Sequence, residues 1–575
     1  MKHFVTATIC VAIVALLATP GQSLAQTLTV YASGPTLDQV ILGDTTAAGV
    51  RQHTTYQLVS LDTTYIFDET ITVTSDISVI GVPDAGTGRP PCIQPDVLPD
   101  NSVPAIMFSF NGNGINGVFQ HLYLLGLAIN NAPAPTMDGT AIQVSADNVR
   151  IAVDDVVFEE WLGFAIGYNG NHDKFFVTNS KFRNMVHPNQ WYVGEVLRNE
   201  WPGEVETDSI VFRDNTMFCV NGYASAPVTK YYVTYFEFSH NSVIFTFKNP
   251  MFIFNVTDAK INNNIFYATY VGGVALPENP WWDNLWYPDE DYGVIALQPL
   301  DAKKDSVFAP EYIGNPLLDS LAEAKRAIEV KNNVCFWPPT LTTFWTAWND
   351  TAHLDSIITP SWMNSRTIDM FGDNVHWPAL VESGNQQVDP GFGASIPGVL
   401  TQATNGLLAW FTLCRTGQLT NTYWDYQKTQ VDFGSGNWIP VWPLPEAADM
   451  QYSNTALQTG GTDGLPVGDP NWFGIVDAVE PDPGPLPVAF ALESPYPNPF
   501  NPTTTLRYTL SESGIVNLTV CNILGQVIAT VVDQAGQSAG TYTVSIDLTR
   551  ETSGVYFAIL EQGNNRAIQK LVLLK

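Results

Sequence analysis

Charged residues are scarce in this chain, and basic residues are the scarcer kind. Only 14% of the 575 residues are charged, and 25 Lys and Arg stand against 56 Asp and Glu, so the formal net charge is −31. The low charge content argues against a disordered chain or a coiled coil. The shortage of basic residues excludes nucleic acid as a partner, because a phosphate backbone needs a basic surface to bind it.

Cysteine is also rare. The six cysteines include no C-x-x-C pair, which argues against a zinc cluster and against a dense disulfide framework. Cys10 lies in a predicted leader, so an odd number remains in the mature chain. Buried thiols are therefore expected, with one disulfide bridge as the alternative.

Long apolar runs are confined to the first residues. Basic residues at the start precede an apolar run over residues 9–18, and small residues follow as far as Ala25. This order predicts a secretory signal peptide over residues 1–26, cleaved after Ala25 or Gln26, with an uncleaved anchor as the alternative. No later run is long enough to cross a membrane, so no transmembrane segment is predicted in the mature chain.

Turn-forming and aromatic residues are abundant instead. The chain has 43 Gly, 39 Pro, 16 Trp, 22 Tyr and 30 Phe, a mixture typical of an all-β extracellular protein with many turns.

A short pattern recurs across residues 56–336 at intervals of roughly 20–40 residues. It consists of Asn, then Ser, Thr or Asn, then any residue, then an apolar residue. It begins at Asn179, Asn215, Asn241, Asn263 and Asn332, with an acidic variant at Asp154. Asparagine tolerates the left-handed backbone of a sharp turn, and stacked Asn side chains can hydrogen-bond along a ladder. The pattern therefore predicts a solenoid of short strands.

This repeat resembles the right-handed parallel β-helix of the pectate-lyase-like superfamily. The resemblance implies an all-β body over 27–474, with an N-terminal cap and Trp-rich C-terminal coils or insertions. A helix is predicted over 316–331 as a local insertion, and the string DGLPVGDPNWFG at 463–474 is expected to cap the far end of the solenoid. A β-propeller is the structural alternative, although its WD and kelch signatures are absent.

The sequence predicts a separate module in the last part of the chain. A Pro-rich, acidic linker over 475–494 precedes short strands over 495–575, which predict a small Ig-like β-sandwich. Motifs in this module resemble, in order, the type A C-terminal sorting domain of type IX secretion. They include Pro497, Asn498, Pro499, Phe500, Gly525, Gly540, Tyr542, Gly554, Tyr556 and Lys575. The resemblance implies the type IX machinery as a partner and a secreted or outer-surface location. An ordinary Ig-like accessory domain is the alternative.

The catalytic strings of β-helix enzymes are missing. Only Asp154 and Asp155 match the paired aspartates of polygalacturonase-like enzymes, and the W-I-D-H string of pectate lyases does not occur. Asp154, Asp155 and nearby Arg150 are therefore the catalytic candidates. Because successive side chains of a strand point to opposite faces, the two aspartates can share a site only across a turn.

An acidic stretch is the candidate metal site. Glu204, Glu206 and Asp208 offer oxygen ligands of the kind that calcium takes, and a solvated loop is the alternative.

A dense aromatic patch is the candidate carbohydrate site. It consists of Trp281, Trp282, Trp286 and Tyr287, with carboxylates interleaved. Flat rings beside carboxylates suit sugar rings, and ordinary packing of an insertion is the alternative.

Together these features predict an exported, secreted or cell-surface β-helix protein that binds glycans, mediates adhesion or forms an extracellular layer. Extracellular polysaccharide is the expected partner, and calcium is the ion that the acidic residues would take. The alternative is a polysaccharide lyase or glycoside hydrolase acting on uronic-acid-containing polymers. Three or more carboxylates with an Arg or Lys on one open face of consecutive coils would favour the enzyme.

Overall fold

The computed structural model divides into two compact units, Met1–Ile475 and Val476–Lys575. The structure describes residues 27–575 apart from 48, 130–138, 187–192, 200–204, 223–232, 252, 254–255, 274–292, 298–325, 351–356, 358, 402–405, 416–429, 433–437, 441–446, 476–490, 493–494, 496–497, 499, 511–513, 523–525, 538–539, 550 and 563–564. The predicted signal peptide lies outside the described residues.

The first unit is built from short strands that pair in parallel along three rows. The first row runs through Thr27–Val30, Thr55–Leu58, Ile77–Gly81, Asn116–Leu125, Arg150–Glu159, Asp173–Thr178, Thr207–Arg213, Val233–Ser239, Val256–Asn262, Ala327–Lys331 and Leu380–Ser383. The second row contains Tyr65–Phe67, Cys92–Pro95, the second halves of Asn116–Leu125 and Arg150–Glu159, Lys181–Met185, Thr216–Val220, Ser242–Thr246, Ile265–Tyr267 and Val334–Phe336. The third row contains Ile71–Val73, Ile106–Phe110, Thr140–Val144, Phe164–Tyr168 and Glu195–Asn199, and a separate pair joins Gly293–Ile295 to Ser361–Met363. The described residues are mostly β, as predicted, and the parallel rows are compatible with a β-helix.

Alternate residues of each strand point into a common apolar core. In the first row Phe236 and Phe238 are fully buried in the apolar core, while the intervening Glu237 is 8% exposed and lies outside that core. Aromatic rings from successive coils stack inside, as Phe158 and Phe182 do with ring centres 4.8 Å apart. The period of two in the sequence is therefore what separates the core from the surface.

At the corner between the first and second rows, two adjacent residues share the roles predicted for asparagine. One forms the left-handed turn and the next forms the side-chain ladder. The first residue has a left-handed backbone, with φ between 50° and 61°, at His121, Asp155, Asn179, Asp214, His240, Asn263 and Asn332. The next residue supplies the ladder: the Nδ2 of Asn215, Asn241, Asn264 and Asn333 donates to the Oδ1 of the residue one coil further on, and the ladder ends at Asn385. The recurrent asparagine thus takes the turn role at Asn179 and the ladder role at Asn215.

Each ladder asparagine satisfies backbone groups as well as its neighbours. Asn264 accepts from the backbone N–H of Asn241 at 2.8 Å and donates to the carbonyl of Phe238 at 2.6 Å. Because this corner is buried, these bonds replace water for groups that would otherwise be unpaired.

A second ladder lies at the corner between the third and first rows, and the sequence pattern did not reveal it. The side chain of Asn113 accepts from the backbone of Asp147, Asp147 accepts from Asn171, and Asn171 accepts from Glu206, at 3.1, 2.8 and 3.3 Å. This corner is more exposed than the first, so its hydrogen bonds compete with water.

Helices cover the outer surface of the second row instead of continuing the coils. Those over the second row are Pro339–Asp350, Ser395–Thr401, Leu407–Arg415 and Ala447–Met450, with a 3₁₀ turn at Pro470–Phe473. Two other helices, Leu37–Gly43 and Ser365–Gly372, pack on the main core instead, and Gln430–Asp432 forms a hairpin with Trp438–Pro440. Trp345, Trp410 and Phe411 belong to one apolar cluster with Phe218 and Ile244 of the second row. The Trp-rich region therefore forms an outer helical layer.

The helix predicted over 316–331 is wrong at its C-terminal end. Ala327–Lys331 is a strand of the first row, and Ile328 is buried in the core. The leucines of that prediction lie outside the described residues. The residue spacing that suited a helix is overridden here by parallel pairing with Val256–Asn262.

The prediction that residues 463–474 cap the far end of the stack is wrong. The segment 460–473 lies elsewhere. It runs back along the first corner and contacts, in turn, Asn332, Asn263, His240, Thr216 and Asn179. The left-handed turns direct polar side chains outward, and these side chains bind the segment. We call 460–473 the strap.

The last coil carries an acidic residue at a core-facing position. Glu382 aligns with Val330, which is fully buried one coil earlier, yet Glu382 is exposed and accepts from Asn385 Nδ2 at 3.1 Å. A charge at an inward position discourages another strand from stacking on an open sheet edge, because that strand would bury it.

Replacing Glu382 by leucine is therefore expected to cause concentration-dependent self-association, measured by sedimentation velocity. Ser383→Leu, on the outward side of the same strand, is the matched control and should stay monodisperse. A monodisperse Glu382→Leu protein would show that the carboxylate does not prevent another strand from stacking on this end of the sheet.

The described helices and thiols add two findings. None of the described helices is long and apolar enough to cross a membrane. Cys92, Cys335 and Cys521 are buried free thiols, and Cys219 is buried as well, whereas the side chain of Cys414 is outside the described part.

The second unit consists of antiparallel strands around its own core. A three-stranded sheet holds Ala491–Leu492, Thr503–Leu510 and Gly540–Asp547, and a four-stranded sheet holds Val527–Gln537, Gly514–Asn522, Gly554–Gln562 and Asn565–Leu573. Leu506, Leu518 and Leu560 are fully buried in the core that these sheets share.

Candidate functional site

The outward face of the first row presents charged side chains in register across consecutive coils. We call this surface the charged face; it comprises Arg213, Tyr235, Glu237, Ser239, Asp258, Lys260, Asn262, Glu329 and Lys331. Glu237 aligns with Lys260, and Lys260 aligns with Glu329. Opposite charges thus alternate from coil to coil, as expected for neighbours that stabilise one another.

Glu237 is the most heavily bonded carboxylate of the charged face. Its Oε1 accepts from Arg213 Nε and Nη2 at 2.9 and 2.8 Å and from Ser239 Oγ at 2.7 Å, and its Oε2 accepts from the Tyr235 hydroxyl at 2.8 Å. Burial alone would raise the pKa of Glu237, but the Arg213 charge and these hydrogen bonds outweigh it and hold that pKa below its usual value. Glu237 therefore favours its charged form near neutral pH and is a poor proton donor.

The negative charge of Glu329 is likewise balanced by a cationic neighbour and a neutral donor. It accepts from Lys331 Nζ at 2.6 Å and from Asn262 Nδ2 at 2.5 Å. Burial opposes ionisation, yet these two partners and the charge of Lys260 keep the pKa of Glu329 lowered.

Asp258 behaves differently from both glutamates. Partial burial raises the pKa of its carboxyl group, and the charge of Lys260 offsets only part of that effect. It aligns with Tyr235, the phenol whose pKa is raised by burial and by Glu237. Asp258 is the one carboxylate of the charged face whose environment favours holding a proton.

Acidification is expected to weaken the cluster around Glu237. A carboxylate with a lowered folded-state pKa contributes stability that is complete above its unfolded pKa of about 4.5 and is lost as the pH falls through the folded-state pKa. Glu237→Gln should therefore cost about 2–4 kcal/mol near neutral pH and less at a pH low enough to protonate Glu237, as thermal unfolding at both pH values would show. An equal cost at both values would contradict this assignment.

The catalytic candidates do not converge on one site. Asp154 lies on the outward face and accepts from Thr178 Oγ1 and Asn179 Nδ2, both at 2.8 Å. Asp155 occupies the left-handed turn, and its Oδ2 is 2.8 Å from His121 Nδ1. Arg150 is buried, and its guanidinium lies 4.8 Å from the Phe176 ring centre. The turn does bring both aspartates to the surface, but each binds a different partner.

The acidic stretch is only partly within the described residues. Glu204 lies outside them, whereas Asp208 bonds His172 Nδ1 at 3.0 Å and Lys174 Nζ at 2.8 Å, and Glu206 lies 3.8 Å from His172 Nε2. Across the described residues no group of three or more His, Cys, Asp or Glu could hold a metal ion. The calcium prediction for this stretch therefore stays a prediction.

The aromatic patch of Trp281, Trp282, Trp286 and Tyr287 falls outside the described residues. Its carbohydrate-binding role also stays a prediction.

A buried ion pair lies on the second row, near the acidic stretch that contains the aspartate candidates. Glu159 and Arg183 are 0% and 1% exposed, with Arg183 Nε donating to Glu159 Oε1 at 2.6 Å. Asn184 Nδ2 donates to the same oxygen at 2.8 Å, and the Tyr123 hydroxyl donates to the other. Since this cluster is closed to solvent, it holds coils together and offers no site to a polymer.

Sequence reasoning missed the charged face, although its signal is present. Polar residues alternate with apolar ones in VTYFEFS, VTDAKIN and AIEVK. Aligning these strands by their ladder asparagines places the charges side by side.

In the second unit the sorting-motif residues fasten the last strand. Asn498 donates from Nδ2 to the Lys570 carbonyl at 2.9 Å and accepts the Val572 N–H on Oδ1 at 2.8 Å. Phe500 is 2% exposed and pairs with Leu573 through backbone hydrogen bonds to the residues on either side of it.

Hydrogen bonds also hold the C-terminal residue, Lys575, in place. The backbone N–H of Lys575 donates to Ser553 Oγ at 2.9 Å, and its Nζ donates to the carbonyls of Thr549 and Glu551. The Tyr556 hydroxyl donates to the Thr552 carbonyl at 2.7 Å.

The remaining motif residues take other places. Tyr542 stacks on Tyr508 with ring centres 5.4 Å apart, while Gly540 and Gly554 face Leu510 and Leu573. Pro497, Pro499 and Gly525 lie outside the described residues.

Residues 494–574 match the secretion system C-terminal sorting domain. The sorting domain indicates export by type IX secretion, to the cell surface or the medium. It therefore implies the type IX machinery as a partner. Comparison of the chain with curated proteins and with solved structures finds no match.

Proposed function

We propose that this protein is an exported polysaccharide-binding or adhesive protein whose charged face contacts the polymer without cleaving it. Its body, residues 27–474, is taken as a right-handed parallel β-helix of the pectate-lyase-like kind. It follows a cleaved signal peptide, and a linker over 475–494 joins it to an Ig-like sorting module over 495–575.

The neutralised carboxylates of the charged face support a binding role most directly. Glu237 and Glu329 each accept from a cationic side chain and from neutral donors. Cleavage of a glycosidic bond by acid–base chemistry needs one carboxyl group that can donate a proton and another that can accept one. Glu237 and Glu329, whose pKa values are lowered, do not supply the donor. The hydroxyl, amide and ammonium groups beside them suit the hydroxyls and carboxylates of a sugar polymer.

A glycan array with and without calcium, probed with the full-length protein, tests binding. Lys260→Ala and Lys331→Ala are expected to lower the binding of uronic-acid polymers, whereas Lys174→Ala, on the same row but beyond the charged face, should not. Retained binding in both face variants would place the polymer elsewhere. The net charge of −31 favours calcium as a bridge to acidic polymers, so chelation should weaken their binding.

The second candidate is a lyase or hydrolase acting on uronic-acid polymers, and Asp258 is the observation that favours it. Its raised pKa, beside Tyr235 and Lys260, is the kind of environment found at acid–base sites. Turnover that disappears in Asp258→Asn would establish this candidate over the first.

A further inference from the structure

Four buried polar side chains interrupt the apolar core at the corner between the third and first rows. Tyr168 and Asn199 end adjacent strands of the third row and are paired in register. Asp173 and Thr207 begin the next strands of the first row and are also paired in register. We call these side chains the inner corner.

The inner corner is sealed from solvent. Tyr168 and Asp173 are 0% exposed, and Asn199 and Thr207 are 1% exposed. Gly170 closes one side: a Cβ there would lie 2.7 Å from Asp173 Oδ2 and 1.9 Å from the Ala146 carbonyl. The chain therefore passes tightly over the carboxylate.

Several polar atoms of the inner corner are left without a partner. Asp173 Oδ1 accepts the Val149 N–H at 2.8 Å, but Oδ2 has no hydrogen-bond partner among the described residues. Both polar atoms of the Asn199 side chain lack one as well. Thr207 Oγ1 donates to the Tyr168 hydroxyl at 3.2 Å, which leaves lone pairs on both oxygens. Buried polar atoms of this kind ordinarily have a partner.

The ionised form of Asp173 is poorly compensated. The pKa of Asp173 is raised to about 8, mainly by burial and in smaller part by Asp147 and Asp208, and the hydrogen bond from Val149 and the charge of Lys174 offset only part of that rise. Lys174 is itself 2.8 Å from Asp208. An ionised Asp173 in this corner requires a positive charge that the described side chains do not provide.

We propose that the inner corner binds a monovalent metal cation of the sodium or potassium type. Its ligands are Oδ2 of Asp173, Oδ1 of Asn199 and the hydroxyl oxygens of Tyr168 and Thr207. One formal negative charge matches one positive charge, whereas calcium takes 6–8 oxygen ligands. The cation satisfies the unpartnered oxygens and fixes the corner through which the chain passes from the third row to the first.

Thermal unfolding of the full-length protein in sodium, potassium and tetramethylammonium chloride at equal ionic strength tests the proposal. The melting temperature is expected to be higher by about 2 °C or more in at least one of the two metal salts, and the rise should saturate with concentration. Asp173→Asn, which keeps the shape and the acceptor for Val149, should remove this dependence. Asp208→Asn, a partly exposed acid close to the same strand, is the matched control and should keep it.

Equal melting temperatures in all three salts would overturn the proposal, as would the same salt dependence in Asp173→Asn. An inner corner that holds only water gives that result. A measurement on the unmodified protein covers the case in which Asp173→Asn fails to fold: crystals soaked in rubidium should show an anomalous peak between Asp173 and Asn199. A soaked crystal without that peak would also overturn the proposal.

Discussion

Asn264→Ala is expected to lower the free energy of unfolding of the first unit by about 3–6 kcal/mol. The change removes a side chain that bonds both neighbouring ladder asparagines and the Phe238 carbonyl. It leaves the backbone N–H of Asn241 without an acceptor in a buried corner, and an orphaned group of this kind costs about 1–3 kcal/mol. Asn241 Nδ2 loses one of its two acceptors and keeps the Phe212 carbonyl. Chemical denaturation followed by far-ultraviolet circular dichroism measures the loss.

Asn171→Ala is the matched control for that loss. Asn171 occupies the equivalent position in the second ladder, where water can replace its hydrogen bonds because the corner is partly exposed. A loss of about 1 kcal/mol is expected there. Equal losses at both positions would mean that burial does not determine how much the first ladder contributes to the free energy of unfolding.

Combined replacement of Asn498 and Lys575 by alanine is expected to abolish delivery to the cell surface. These side chains fasten the last strand of the sorting domain through the backbone of Lys570 and Val572 and the carbonyls of Thr549 and Glu551. A loosened strand no longer presents the folded module that the type IX machinery reads. Fractionation of a type IX-competent host should show the variant retained in the periplasm.

Arg566→Ala controls for general damage to the same strand. Arg566 is exposed, and its ion pair with Glu561 is of the surface kind that contributes little stability. This variant should reach the surface normally. Normal delivery of the double variant would show that the fastened strand is not what the machinery requires.

The strands and the ladder could be predicted because their causes are local. The alternation of apolar and polar residues in VTYFEFS is a property of that segment alone, and Asn241 carries both the turn signal and the ladder signal. The division of labour between His240 and Asn241 could not be predicted, since any short polar residue suits either position until the register is known.

The features that sequence reasoning missed depend on contacts between distant residues. The strap reaches His240 through Asp463, and nothing in DGLPVGDPNWFG specifies which corner it follows. Ile328 was assigned to a helix because its spacing from apolar residues upstream suits one, whereas pairing with Ala259 made it a strand residue. The inner corner likewise exists only once Tyr168 and Asp173 are stacked against Asn199 and Thr207.

Incubation of the full-length protein with a uronic-acid polymer, with bound polymer and chain length measured in the same sample, tests the central claim most directly. The account predicts that the polymer binds through the charged face and that its chain-length distribution does not change. Progressive shortening of the polymer, lost in Asp258→Asn, would contradict it.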